Sequence, residues 1–127
     1  MQLSTNPQFI EHYLSGRKKH SFRNGNRWRA DMSIQYYRDR YQPTMCKFMP
    51  DGKCTAVQEA KLIHKINNGK REISLFLDGR LLDSVELKQV AYADGFDNEI
   101  DFVSFFFPDN TEGVWDGQLV HWTDLKY

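Results

Sequence analysis

The sequence lacks the motifs that identify a reaction directly. It has no Rossmann-type GxGxxG, P-loop, HExxH or G-x-S-x-G, so no motif supports nucleotide, zinc-protease or serine-hydrolase chemistry. Cysteine is scarce, and Cys46 and Cys54 flank a predicted Pro50-Asp51-Gly52 turn. In a hairpin centred on that turn Met49, rather than Cys46, faces Cys54, and no histidine is close enough to complete a zinc pattern. We therefore expect two free thiols, no metal and no cofactor.

Net charge is absent as well, because 17 lysines and arginines balance 17 aspartates and glutamates. The charges are nevertheless unevenly placed. Residues 17–29 form a basic stretch, whereas no lysine or arginine lies between Lys88 and Lys126. Proteins that bind nucleic acid are usually strongly basic, so we expect the basic stretch to pair with the acidic C-terminal half instead of with phosphates.

Long apolar runs are absent too. No segment approaches the ~20 residues of a membrane helix, and residues 1–9 do not have the pattern of a secretory signal. We expect a cytoplasmic protein that does not enter membranes. With 127 residues, 40% hydrophobic and 27% charged, the chain fits a single domain over residues 1–127, large enough to bury a core without disulfides.

The first half of the chain carries helical patterns. Asn6 followed by Pro7 is typical of a helix start, and the apolar residues that follow predict a helix over residues 7–15. Residues 26–41 alternate as in a strand, yet they also form a helical stripe behind a possible Asn26 cap. We favour a helix there and keep a strand as the alternative.

A short strand and another helix are predicted next. Residues 44–49 are apolar enough for a strand before the Pro50-Asp51-Gly52 turn. Thr55 and Gln58 have the spacing of a capping box, and the apolar stripe behind them predicts a helix over residues 55–66.

The second half reads as four antiparallel strands. Residues 71–77 alternate, Asp78-Gly79 is a hairpin signal, and residues 85–88 alternate again. A phenylalanine-rich segment at residues 99–107 and the closing residues 113–127 supply the last two predicted strands.

The closing strand carries polar groups on both faces. Since side chains alternate, His121 shares a face with Leu119 and Thr123, whereas Asp124 shares the other face with Trp122. Whichever face is inward, a polar group goes with it. This favours a sheet that lines a cavity, and at most one of His121 and Asp124 should contact a ligand.

The order of these segments resembles the NTF2-like superfamily, and in particular its SnoaL-like members. The resemblance rests on the Tyr-Tyr-Arg-Asp-Arg-Tyr run at residues 36–41, the Pro50-Asp51-Gly52 turn before the predicted Thr55 helix, and residues 116–124. It implies an α+β fold in which a curved antiparallel sheet and N-terminal helices form a cone around a pocket, and a homodimer through the outer sheet face. The basic insert at residues 17–29 and the lack of a clearly placed catalytic carboxylate on the first helix or the short strand depart from that family.

The resemblance also implies where functional groups lie. Acid or base groups would project into the cone, which makes His121, Asp101 and Asp124 the candidate catalytic residues. An imidazole can transfer protons near neutral pH, and a carboxylate that faces an apolar cavity has a raised pKa. The candidate ligand-binding residues are Tyr36, Tyr37, His64, Trp122 and Phe102.

Two functions fit these predictions. The first is a pocket that binds a small, mostly apolar molecule, with acid-base isomerase, cyclase or dehydratase chemistry. The alternative is a non-enzymatic module for protein interaction or dimerisation. A rival fold, an all-β lipocalin-like barrel with an N-terminal helix, requires residues 26–41 and 55–66 to be strands.

Overall fold

The computed structural model describes residues 1–127 as a mixed α+β fold with two unclosed sheets. The strands are β1 (Gln2–Thr5), β2 (His20–Asn24), β3 (Ser33–Arg38), β4 (Cys46–Lys47), β5 (Gly52–Lys53), β6 (Ala56–Asn67), β7 (Lys70–Leu77), β8 (Arg80–Leu81) and β9 (Gly113–His121). The α-helices are α1 (Ile10–Leu14), α2 (Ser84–Ala93) and α3 (Glu99–Phe106), with single 3-10 turns at Pro7–Phe9 and Pro108–Asn110. None of the helices combines the length and the apolar character that crossing a membrane requires.

The larger sheet is antiparallel and runs in the order β2-β9-β6-β7-β8. Its inner face is buried through alternate residues of the central strand β6, namely Gln58, Ala60, Leu62 and His64. Helix α3 covers this face, since the rings of Phe22 and Phe102 lie 5.4 Å apart. Helix α2 adds Leu87, Val90 and Ala91 to the same core.

The smaller sheet closes one side of the core. Strand β3 pairs in parallel with β1 and antiparallel with β4 and β5. Its residue Tyr36 is buried and packs edge-on against Tyr13 of α1, with ring centroids 5.8 Å apart. Tyr13 also stacks on Trp122, just beyond β9, at 5.1 Å. A single aromatic cluster therefore joins α1, the small sheet and the end of the large sheet.

Several predicted elements are confirmed. The first helix begins with the Pro7–Phe9 turn and continues as α1, and the side chain of Asn6 accepts from the backbone N–H of Gln8 at 3.2 Å, as its capping pattern indicates. Strand β7, the hairpin at Asp78-Gly79 and strand β9 lie where alternation predicts them. The predicted strand over residues 44–49 is reduced to the two residues of β4.

The helices predicted over residues 26–41 and 55–66 are wrong, because both segments contain strands. In β3, Ile34 and Tyr36 are buried at alternate positions, as the alternative strand prediction expects. The hydroxyl of Thr55 caps no helix and instead donates to the carbonyl of Thr123 at 2.5 Å. In β6 the buried positions include the polar Gln58, so the strand does not show a clean apolar alternation.

The strands predicted over residues 85–88 and 99–107 are also wrong. Asp83 and Glu86 form a reciprocal capping box at the start of α2. The side chain of Asn98 accepts from the backbone N–H of Asp101 at 2.8 Å and caps α3. Both caps have the spacing of helix starts, and they outweigh the short alternation of apolar residues that follows them.

The mixed α+β class is confirmed, whereas the closed barrel is wrong. Residues 33–38 and 56–67 are indeed strands, but the large sheet keeps two free edges at β2 and β8 and never closes on itself. The observed element order differs from the predicted one, so the NTF2-like cone stays a prediction. Cys46 and Cys54 are both free.

Gly117 allows β2 to pack closely against β9, and this generates a stability prediction. A Cβ at this position would overlap the carbonyl oxygen of Arg23 and lie 2.6 Å from Cη2 of Trp115. We expect Gly117→Ala to lower the free energy of unfolding by about 2 kcal/mol, as overpacking does elsewhere. Urea unfolding measures this, and Lys65→Gln, at an exposed position of the neighbouring strand β6, should change it by no more than about 0.5 kcal/mol. Equal stability of Gly117→Ala and wild type would contradict the close packing.

Candidate functional site

A cavity of about 200 Å³ lies where the end of β1, the first helix, β2 and the region around α3 meet. Three larger hollows on the surface, of about 970, 490 and 400 Å³, are more open to solvent. Five phenylalanine rings form the apolar wall of the cavity of about 200 Å³, namely those of Phe9, Phe22, Phe96, Phe105 and Phe106. Phe9 meets Phe96 and Phe105 edge-on, with centroids 5.2 and 5.6 Å apart. This wall is apolar.

A buried ion pair forms the opposite, polar side of the cavity. Lys18 and Asp94 are each only 4% exposed, and Nζ of Lys18 donates to Oδ1 of Asp94 at 3.0 Å and to its carbonyl oxygen at 2.7 Å. The ammonium also lies 5.1 Å from the ring centroid of Phe9. Together with the ion pair of Arg17 and Asp97 at 3.3 Å, this contact confirms the expected pairing with the acidic C-terminal half for two of the six lysines and arginines of the basic stretch.

Two hydroxyls in the cavity lining have no partner. Oγ1 of Thr5 and the phenolic oxygen of Tyr13 are buried without a hydrogen bond in the protein. Leaving such a group unpaired costs about 1–3 kcal/mol. Native proteins rarely tolerate this without a reason, and a bound molecule with a polar group would supply one.

His20 continues the polar side away from the cavity. Its Nδ1–H donates to Oδ1 of Asp94 at 3.1 Å, and its Nε2 accepts from the hydroxyl of Tyr127 at 2.8 Å. Burial lowers the pKa of His20, although Asp94 opposes the shift. Burial also raises the pKa of Tyr127. A continuous chain of hydrogen bonds therefore runs from Lys18 through Asp94 and His20 to Tyr127.

His121 lies beside this chain and does not line the cavity. It is fully buried, and its Nε2–H donates to Oε1 of Gln58 at 2.9 Å, whereas Nδ1 has no partner. Burial, followed by repulsion from His20, lowers the pKa of His121 to about 3. The imidazole is therefore neutral near pH 7, and it is a poor proton acceptor where it lies.

The two candidate carboxylates lie at the surface. Asp101 is exposed in the first turn of α3. Asp124 is exposed beyond the end of β9 at His121, so the strict alternation that relates the two residues does not extend to it. Neither lines the cavity, and the structure does not bring His121, Asp101 and Asp124 together.

The five candidate ligand-binding residues are also outside the cavity lining. Tyr36 and Phe102 are buried in the core, Trp122 packs against Tyr36 with centroids 5.6 Å apart, and Tyr37 is half-buried on β3. His64 is buried on β6, where its Nδ1–H donates to the carbonyl of Thr111 at 2.7 Å and its Nε2 has no partner. These five residues stabilise the fold around the cavity.

The residues that do line the cavity were missed as site candidates. Lys18 was visible as part of a basic stretch and Asp94 as part of an acidic half, but 76 positions separate them. Thr5 and Tyr13 carry no signal in the sequence beyond their ordinary polarity. No group of three His, Cys, Asp or Glu side chains converges anywhere in the structure as a metal site.

Comparison with protein-family models, with curated proteins and with solved structures finds no match for this chain. The function therefore has to be inferred from the cavity and the polar cluster themselves.

The buried histidines generate a prediction about acid stability. The unfolded chain binds protons below an imidazole pKa of about 6.5, whereas the folded protein holds the pKa of both His20 and His121 below that value. The free energy of unfolding should therefore decrease as pH falls from about 6.5 to 4, because the unfolded state binds more protons.

Urea unfolding at a series of pH values measures this slope. His121→Asn should make it shallower by nearly one proton, even if the variant is less stable at every pH. The matched control is His12→Asn, on the half-buried His12 of α1 outside the cluster, which should keep the wild-type slope. A slope that His121→Asn leaves unchanged would contradict a neutral, buried His121.

Proposed function

We propose that the protein binds a small molecule in the cavity between β1, α1, β2 and α3. One observation carries the proposal: five phenylalanine rings line the cavity together with Thr5 and Tyr13, whose buried hydroxyls lack partners. Pockets for small ligands typically combine an apolar lining with a few polar groups that fix orientation. This arrangement supports binding of a molecule with an apolar body and one polar group.

The volume limits the size of the ligand. About 200 Å³ exceeds the roughly 150 Å³ that a cavity binding one benzene ring needs. It is below the roughly 300 Å³ at which pockets for drug-sized molecules begin. The ligand is therefore a single ring, or an aliphatic group of similar size, with a small substituent.

None of the three candidate catalytic residues expected from the sequence lines the cavity. Asp94 is the one carboxylate among the lining residues. Its Oδ1 already accepts from Nζ of Lys18 at 3.0 Å and from the Nδ1–H of His20 at 3.1 Å. His121 lies outside the cavity. Binding without turnover is the function that the geometry supports best, and an NTF2-like cone and a cytoplasmic location stay predictions.

Binding can be tested with two probes of one size. We expect toluene and benzyl alcohol both to bind, as detected by ligand-observed NMR, and benzyl alcohol to bind more tightly because its hydroxyl can pair with Thr5 or Tyr13. The double variant Thr5→Val and Tyr13→Phe removes only hydroxyls and should abolish this difference, about 3- to 10-fold in affinity.

The matched control is Tyr41→Phe, since Tyr41 is 84% exposed and away from the cavity. It should leave the affinity of both probes unchanged. The proposed function would be contradicted if neither toluene nor benzyl alcohol bound the wild type saturably.

The outer face of the large sheet favours a second candidate function, assembly of two copies. Val114 and Leu81 are more than half exposed there, beside the half-buried Ile63 and Phe76. Charged side chains of both signs surround these apolar residues, and Nζ of Lys61 lies 3.9 Å from Oδ1 of Asp116. Because the chain has no net charge, two copies would not repel each other strongly, and apolar exposure of this kind is typical of an interface.

Sedimentation velocity tests this assembly. We expect a dimer for the wild type and a monomer for Val114→Lys. At a two-fold interface the new lysine would be buried against the other copy without an opposite charge to pair with it. Val85→Lys, at an equally exposed position on α2, should remain dimeric. A wild type that sediments as a monomer at high protein concentration would contradict this second function.

A further inference from the structure

The charge of the cavity lining specifies the chemistry of the ligand. We infer that the cavity takes a small carboxylate, a monoanion whose apolar part is one ring or a group of similar size; this inference rests on the proposed binding function. Three charged side chains line the cavity, the cations Lys18 and Arg23 and the anion Asp94. The lining therefore carries one net positive charge.

Lys18 can still bind an anion although it pairs with Asp94. An ammonium has three N–H donors, and Nζ of Lys18 gives hydrogen bonds only to the carbonyl and to Oδ1 of Asp94. Its other neighbours are the rings of Phe9 and Tyr13, at 5.1 and 5.5 Å from Nζ. One donor is therefore left for a ligand, in surroundings where little water screens its charge.

Arg23 supplies the unneutralised cation. Its Nε–H donates to Oγ of Ser21 at 3.0 Å, which fixes the base of the guanidinium. The terminal nitrogens make no hydrogen bond or ion pair within the protein. A guanidinium presents two parallel N–H groups that match the two oxygens of a carboxylate. Arg23 is thus oriented by Ser21 and free to hold the anionic group.

The remaining polar groups favour the same end of the ligand. The lining residues Thr5 and Tyr13 carry hydroxyls without a partner in the protein, and a hydroxyl can donate to a carboxylate oxygen. Asp94 is the one lining group that repels an anion, and its Oδ1 already accepts from Lys18 and His20. A cationic ligand would instead meet the two cations Lys18 and Arg23 and a single carboxylate, Asp94, of which only Oδ2 has no hydrogen bond in the protein, so amines are disfavoured.

The phenylalanine wall suits the apolar end. The ring centroids of Phe9, Phe96 and Phe105 are 5.2 to 5.6 Å apart, and Phe9 meets the other two edge-on. Edge-to-face contacts with a further ring are favourable. Benzoate is therefore a suitable probe, since it joins one ring to one carboxylate.

Isothermal titration calorimetry with benzoate, benzyl alcohol and benzylamine tests the inference on the full chain. The three probes share the ring and differ in the charge of the substituent. We expect benzoate to bind about tenfold or more tightly than benzyl alcohol, and benzylamine to bind most weakly, because charge-assisted hydrogen bonds are the stronger ones.

Two matched variants distinguish a bound carboxylate from general attraction to positive charge. Arg23→Gln should weaken benzoate about tenfold and leave benzyl alcohol unchanged. Arg27→Gln, at an exposed arginine of the same basic stretch, should alter neither. If benzoate and benzyl alcohol bind equally, or if Arg27→Gln weakens benzoate as much as Arg23→Gln, the carboxylate inference is overturned while the binding function stands. If none of the three probes binds, the binding function itself is contradicted.

Discussion

The buried ion pair of Lys18 and Asp94 is the contact on which the rest of the structure depends. A charge removed from water is costly unless an opposite charge and hydrogen bonds compensate it. Here both partners are almost fully buried, and Asp94 also accepts from His20 at 3.1 Å. The pair fixes the segment after α1 to the C-terminal end of α2 and joins both to β2. Any arrangement that separated the two residues would leave a buried charge unpaired.

The same cluster explains why polar and apolar surfaces meet at the cavity. Lys18 and Asp94 form one side, and the chain through His20 ends at the hydroxyl of Tyr127, 2.8 Å from Nε2 of His20. Gln58 extends the network, since its Nε2 donates to the carbonyl of Tyr127 at 2.7 Å and its Oε1 accepts from His121. His20 and His121 are thereby held neutral within the fold. The polar groups that remain available to a ligand are those that line the cavity beside the ion pair. A buried polar network can thus define a binding site without supplying catalytic groups to it.

Local patterns predicted part of the fold well. The cap at Asn6, the Asp78-Gly79 hairpin and the alternation of β7 depend on neighbours in the sequence, and the structure contains all three. Strand β6 was misread because Gln58 and His64 occupy inward positions where an apolar residue is expected. Helices α2 and α3 were misread although their caps are visible at Asp83 and Asn98, because short apolar alternation took precedence over capping. For the site, alternation correctly indicated that polar groups are buried near the end of β9, but it could not show that His121 is bonded to Gln58 and turned away from the cavity.

By itself the sequence determined the α+β class, the first helix, the last strand and the pairing of a basic N-terminal stretch with an acidic C-terminal half. These follow from spacing, capping and charge, which act over a few residues or over the whole chain. Only the tertiary structure decided which basic residue meets which acidic one, and which hydroxyls remain unpaired. Lys18 and Asp94 are 76 positions apart, and their contact results from the packing of β2, α1 and α2 together. The cavity and its chemistry exist only in that packed arrangement, because local sequence patterns do not show which side chains, distant in the sequence, will line the same cavity.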